Sequence, residues 1–65
     1  MKVFVNHIEQ ELSHVMHVKE LLDLLNPKKP FAISINGEFL PKDLYSKTAL
    51  KDNDQIQIIV PVTGG

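Results

Sequence analysis

An α+β fold, with one helix packed against a mixed β-sheet, is what this sequence predicts, and three observations predict it. Apolar residues alternate through the first twelve positions. They then recur at helical spacing over residues 15–25. Strand-like alternation returns after Pro27 and ends in an almost uninterrupted apolar run over residues 55–62.

Each element follows from its own residues. Val3 and Val5 share one face of a first strand, with Lys2 and Phe4 on the other; Ile8, Gln10 and Leu12 alternate with Glu9 and Glu11 in a second. Asn6-His7 between them suits a tight turn, since both residue types tolerate positive φ better than most. The first twelve residues thus read as a hairpin with one apolar face. Val15, Val18, Leu21, Leu22 and Leu25 fall at i, i+3, i+6, i+7 and i+10, along one helical face. The helix should stop near Asn26, because Pro27 biases the preceding residue out of the helical region, and Lys28-Lys29-Pro30 prolongs the break.

Phe31, Ile33 and Ile35 alternate with Ala32 and Ser34 in a third strand. Asn36-Gly37 is a strong hairpin signal, since both turn positions need positive φ. Residues 38–40 form a short return strand that Pro41 ends. Residues 42–47 suggest a helical turn anchored by Leu44 and Tyr45, and Lys51-Asp52-Asn53-Asp54 is a turn cluster. The final strand, residues 55–62, is apolar enough to be central and parallel to the first, with a tail leaving its end. Alternation puts Ile56, Ile58 and Val60 on one of its faces, with Ile59 and Pro61 on the other.

Sixty-five residues make a single domain over 1–65. A chain this short buries only about 60% of its unfolded surface, so a deep pocket with a full catalytic constellation is hard to build. A binding module, carrier or subunit is expected instead. Seven lysines, eight acidic residues and no arginine give a net charge of −1. That balance argues against nucleic acid as a partner, since its binders show a basic excess and favour arginine. With no cysteine there is no disulfide, no thiolate metal site and no thiol nucleophile. The first six residues lack the apolar stretch of a signal peptide and nothing approaches a membrane span, so a soluble, cytoplasmic monomer without a membrane partner is expected.

Few side chains suggest a site. His14 and His17 are three apart and, with His7, raise the idea of a metal centre, but no carboxylate or thiol completes a ligand set; they read as solvated or capping residues, with no metal. Phe31, Phe39, Leu40, Leu44 and Tyr45 divide between core and contact surface, because so small a domain cannot bury every large side chain. Ile59 is either buried on a two-sided central strand or, with Pro61, Val62 and Thr63, part of a partner-binding surface. Lys28, Lys29, Lys42, Lys47 and Lys51 read as solvated, with at most a minor part in steering toward an acidic partner. The chain closes on Gly64-Gly65. About one chain in 200 would end so by chance at average glycine usage, so the pair alone is suggestive and not decisive.

The pieces together carry a pattern. Residues 34–42, reading Ser34-Ile35-Asn36-Gly37-Glu38-Phe39-Leu40-Pro41-Lys42, are followed by Asp43-Leu44-Tyr45, by residues 51–59 and by the terminal Gly64-Gly65. This arrangement resembles the ThiS family, the small ubiquitin-like β-grasp sulfur carriers of thiamine synthesis. The first hairpin and the Val18-Lys19-Glu20-Leu21-Leu22 helix match in order and spacing, so the resemblance spans essentially the whole chain. Three departures stand out. The family often has Asn-Gly where this chain has Asn6-His7, a Thr-x-x-Glu capping box where this chain has His17 before Glu20, and Asp-Gly-Asp where this chain has Asp52-Asn53-Asp54. Asparagine substitutes reasonably for glycine at positive φ. The tail Pro61-Val62-Thr63-Gly64-Gly65 also looks like the end of MoaD, the small subunit of molybdopterin synthase, although that relative is usually longer and its internal segments match less well. A ubiquitin-like modifier or a plain β-grasp interaction module remains a further alternative.

The resemblance implies a chemistry for the tail. A carboxylate resists attack until its oxygen becomes a good leaving group, as adenylation makes it. A sulfur donor protein can then displace AMP and leave a thiocarboxylate at Gly65. The chain has no G-x-x-x-x-G-K-[ST] phosphate loop, so it binds no cofactor itself and ATP belongs to a partner. The implied partners are an E1-like (ThiF-like) adenylating enzyme and a ThiG-like thiazole synthase, the chain being a cosubstrate rather than an enzyme. Gly64 supplies a slender, flexible approach without a Cβ, and Pro61 stiffens the exit from the sheet.

Overall fold

A computed structural model describes residues 1–61 of the chain. β1 (Lys2–Val5) and β2 (Ile8–Glu11) form the first hairpin, with Val5 opposite Ile8 and Lys2 opposite Glu11. Asn6 (φ 50°) and His7 (φ 70°) both take the left-handed conformation that a two-residue hairpin turn demands. Val3 and Val5 are buried, while Phe4 lies on the opposite face with the Lys2 ammonium 5.7 Å from its ring centre. The expected apolar face of the second strand holds at Leu12, which is buried, but not at Ile8. Edge strand β2 carries Ile8 beyond the cover of the helix.

Helix α1 (Val18–Leu25) buries Val18, Leu21 and Leu22. His17 stands at its N-cap in extended backbone, and Asn26 closes it in the left-handed conformation (φ 46°), donating its N–H to the Leu22 carbonyl at 2.7 Å. Pro27 follows, as its steric effect on the preceding residue requires. The helix begins later than the apolar spacing suggests, and Val15, 66% exposed, is not part of its buried face. Residues 16–17 are held extended by a bridge between His17 and Ala49 and by the Leu50 N–H bonded to the Met16 carbonyl at 2.8 Å. In an extended segment alternate residues point inward, so Met16 enters the core in place of Val15.

β3 (Ala32–Ile35) and β4 (Glu38–Leu40) form the second hairpin through Asn36 (φ 51°) and Gly37 (φ 86°). A 3-10 turn over Lys42–Leu44 follows. Only one of its two expected anchors holds: Tyr45 stacks on Phe31, with ring centres 6.5 Å apart and planes 10° from parallel, whereas Leu44 is exposed. Asn53 (φ 69°) occupies the left-handed position in the late turn, where the carrier pattern often has glycine.

β5 (Gln55–Ile59) completes a five-stranded sheet in the order β2-β1-β5-β3-β4. It is central and runs parallel to β1, as its apolar run predicts, and antiparallel to β3. It ends at Ile59 rather than at residue 62, with Val60 and Pro61 already beyond the ladder. The buried set, Val3, Val5, Leu12, Met16, Val18, Leu21, Leu22, Ile33, Leu50 and Ile56, lies between α1 and one face of the sheet. The opposite face is open. Ile56 is therefore buried while Ile59, on the open side, is 49% exposed, so the two-sided burial considered for Ile59 does not occur. No helix among the described residues is long and apolar enough to cross a membrane.

Candidate functional site

The exit of β5 is where the described structure meets the tail. β5 is paired on its β3 side through Ile59, which lies opposite Ala32. On its other side the backbone of β1 pairs only as far as Val5, opposite Ile56. The chain of β1 then turns away at Asn6, whose own N–H still donates to the Ile56 carbonyl at 2.9 Å. The Asn6 side chain takes over from there. Its Oδ1 accepts the Ile58 N–H at 2.8 Å and its Nδ2 donates to the Ile58 carbonyl at 3.3 Å. A carboxamide offers the same donor and acceptor as a peptide unit, so it continues the ladder one step past the end of the strand.

The other turn asparagine does the same at the start of β5. Asn36 donates its N–H to the Gln55 carbonyl at 2.8 Å, and its Oδ1 accepts the Gln55 N–H at 2.9 Å. Its Nδ2 donates to Asp54 Oδ1 at 3.0 Å, and Asp54 Oδ2 accepts the Lys51 N–H at 2.8 Å. The first strand joins this network as well. The Asn53 N–H donates to the Lys2 carbonyl at 2.7 Å, and the Phe4 N–H to the Asp54 carbonyl at 2.9 Å. β5 is thus pinned at both ends by asparagines whose backbones suit the turns and whose side chains bond the strand. The signal was the choice of asparagine at the first turn position, where a carboxamide can bond where glycine cannot.

Ile59, Val60 and Pro61 leave the sheet exposed. The register places Phe39 opposite Ser34, Ser34 opposite Gln57, and Ala32 opposite Ile59, so Phe39 and Ile59 lie on the same open face. Phe39 is 70% exposed. Of the large side chains that sequence leaves between core and contact surface, Phe31, Leu40 and Tyr45 pack against the core, while Phe39 and Leu44 do not. Val62, Thr63, Gly64 and Gly65 lie outside the described residues.

The histidines do not converge. His7 occupies the first turn, the His14 ring lies 3.0 Å from Ser13 Oγ, and His17 begins the helix. Glu20 still performs its half of the expected capping box, accepting the His17 N–H at 2.9 Å. That bond, joined by one from the His17 side chain, holds the Glu20 carboxyl below its ordinary value. Among the described residues no group of three or more His, Cys, Asp and Glu could hold a metal ion. Lys28, Lys29, Lys42, Lys47 and Lys51 are all exposed. Lys29 and Lys42 flank an open groove floored by Leu22, Phe31 and Tyr45.

A short domain with an outgoing central strand has many uses, and comparison with known proteins narrows them. The sequence model of the ThiS family matches residues 3–65, through both terminal glycines. The chain belongs to the ThiS family. Its structure superposes on the crystal structure of a thiamine biosynthesis protein (ThiS) from Geobacter metallireducens with a TM-score of 0.85, at 26% identity and covering all of both chains. The solution NMR structure of a thiamine biosynthesis protein from that organism gives 0.80 at 26% identity, covering all of this chain and 88% of the other. The fold of this ThiS-family chain is therefore the predicted ubiquitin-like β-grasp. A thiazole synthase of Paramagnetospirillum magneticum (strain ATCC 700264 / AMB-1) is 33% identical over 66 residues. All of this chain aligns there, yet it spans only 20% of that protein's length.

Proposed function

We propose that this ThiS-family protein is a sulfur carrier for thiamine biosynthesis, with the Gly65 carboxylate as the reacting group. An E1-like enzyme joins that carboxylate to AMP from ATP, releasing pyrophosphate. Hydrosulfide delivered by a donor protein then attacks the carbonyl carbon; the C–S bond forms as the C–O bond to AMP breaks, releasing AMP and a proton and leaving a thiocarboxylate. A thiazole synthase receives the sulfur. The protein is a cosubstrate in this scheme, and Ile59, Pro61, Val62 and Thr63 meet the partner as Gly64 and Gly65 enter its active site.

The observation that supports this reading is where the central strand ends. A central strand, bonded on both sides, ends at Ile59, and the family match continues through residue 65. The six residues from 60 to 65 span at most about 20 Å when extended, enough to enter a partner's active-site channel while the sheet stays outside. The likeness to ThiS proteins supports the thiamine pathway, and the thiazole synthase that contains a related segment supports the recipient.

The test is intact-protein mass spectrometry after incubation with ATP, the cognate adenylating enzyme and a sulfur source. The expected product is heavier by the difference between one sulfur and one oxygen. An unchanged mass with a partner proven active would overturn the proposal, as would full loading of a variant with one residue appended after Gly65 and not removed.

A further inference from the structure

The geometry points to Asn6 as a positioning residue for the C-terminal reaction, acting through β5 on the direction in which the tail leaves the sheet. The inference rests on the carrier reading above and adds to it a residue remote from the reacting carboxylate in sequence.

Three observations lead to it. First, the backbone of β1 stops pairing with β5 after Ile56, so without another partner the Ile58 N–H and carbonyl, which face the β1 side, would have no bond in the sheet. Second, the Asn6 carboxamide bonds both the N–H and the carbonyl of Ile58, one residue before the strand ends. Third, these bonds bring together residues 52 positions apart, so they tie the exit of β5 to the first hairpin. A strand bonded on both edges has one direction at its end; a strand bonded on one edge can peel and twist. The chain then leaves the sheet at Ile59 in a set direction, and the part of the ordering that concerns the strand end is done before docking. The turn conformation alone does not explain the choice of residue, since glycine also fits φ 50° and carries no amide.

Asn6→Gly removes the carboxamide and keeps the turn. Asn36→Gly is the matched control, because it removes the same chemistry from the start of β5 and leaves the exit alone. Both are compared with the wild-type protein in the loading reaction, well below their unfolding midpoints, with kcat and KM determined separately. Asn6→Gly should lower kcat roughly tenfold, less than the ~100-fold that a misplacement of about 1 Å can cost, with KM nearly unchanged because the open face still docks. Asn36→Gly should leave kcat within twofold of wild type. Amide hydrogen exchange gives an independent readout: the Ile58 N–H should be protected in the wild-type protein and lose that protection in Asn6→Gly.

A wild-type Ile58 amide that exchanges as fast as an unpaired one would remove the clamp, whatever the variants do. Equal kcat for Asn6→Gly and wild type, or equal losses in the two variants, would reduce Asn6 to a stabilising residue. If the wild-type protein is not loaded at all by a partner proven active, the carrier reading fails and this inference falls with it. Loading of the wild type with no change in Asn6→Gly overturns the inference alone.

Discussion

Removal of the Asp54 carboxylate should unfold this protein more readily than loss of any other acidic side chain. Asp54 is 8% exposed and is the only buried polar or charged residue among those described. Its two oxygens accept the Asn36 Nδ2 and the Lys51 N–H. Asp54→Ala deletes both bonds and leaves the two donors facing a shallow void. Bonds to a charged acceptor contribute about 1.5–3 kcal/mol each. The site is only partly closed to water, so the lower half of that range applies, and the expected loss for the two bonds is about 3–4.5 kcal/mol. A domain of this length has roughly 3–10 kcal/mol in total, at about 0.05–0.15 kcal/mol per residue. The variant therefore forfeits a third or more of its stability. Urea denaturation followed by far-ultraviolet circular dichroism suits a chain without tryptophan. At a slope of about 1 kcal/mol/M the midpoint should fall by roughly 3–4.5 M with the slope unchanged. Asp54→Asn, which keeps one acceptor and turns an amino group toward the other donor, should lose more than half as much. A loss below about 1 kcal/mol for Asp54→Ala would refute the argument, because water would then be serving the two donors as well as the carboxylate does.

His7→Gly should stabilise the protein by roughly 0.5–1 kcal/mol, because an exposed histidine at φ 70° carries a steric cost that glycine lacks. At 4–8 °C per kcal/mol for a domain of this size, Tm should rise by about 2–8 °C; a fall would show the side chain to be making a contact of its own. Burial holds the Tyr45 phenol above its ordinary value near 10. Its neutral form is thus favoured in the folded state, and the stability this contributes is fully present below the unfolded value of about 10 and is lost as pH rises through the folded one. Ultraviolet titration of the phenolate should show a midpoint above 10, and Tyr45→Phe, which keeps the ring against Phe31, should flatten the alkaline loss of stability. A midpoint at or below 10 would contradict the burial argument.

Local chemistry made much of this fold legible. Both hairpins follow from residues that accept positive φ, at Asn6 and His7 and again at Asn36 and Gly37, and the helix stop follows from Asn26 before Pro27. Where sequence reading went astray, a distant contact decided the outcome. Val15 fits the helical period, but pairing of residues 16–17 with residues 49–50 keeps that stretch extended and admits Met16 to the core instead. Ile8 and Leu44 fit an apolar pattern, yet periodicity names a face without saying whether anything covers it. Ile59 had two open readings for the same reason, and the answer required knowing that a single helix covers a single face of the sheet. At the candidate site, Ile59 and Pro61 are exposed beside the strand end, while the side-chain bonds of Asn6 and Asn36 to β5 were invisible. They join residues separated by 52 and 19 positions, a distance over which no local pattern speaks.

The strand order carries one more consequence, for the making of the protein. β5 lies between β1 and β3 and is the only strand that joins the two hairpins into one sheet. A ribosomal product cut short before residue 55 lacks the strand that pairs with both β1 and β3, so its two hairpins are not joined in one sheet. An isolated hairpin is at best marginally stable in water. Such fragments stay open to proteases, whereas a chain that has passed through β5 closes its sheet and is protected. Folding thereby acts as a length check. The molecules that survive are those whose synthesis has passed the strand Gln55–Ile59.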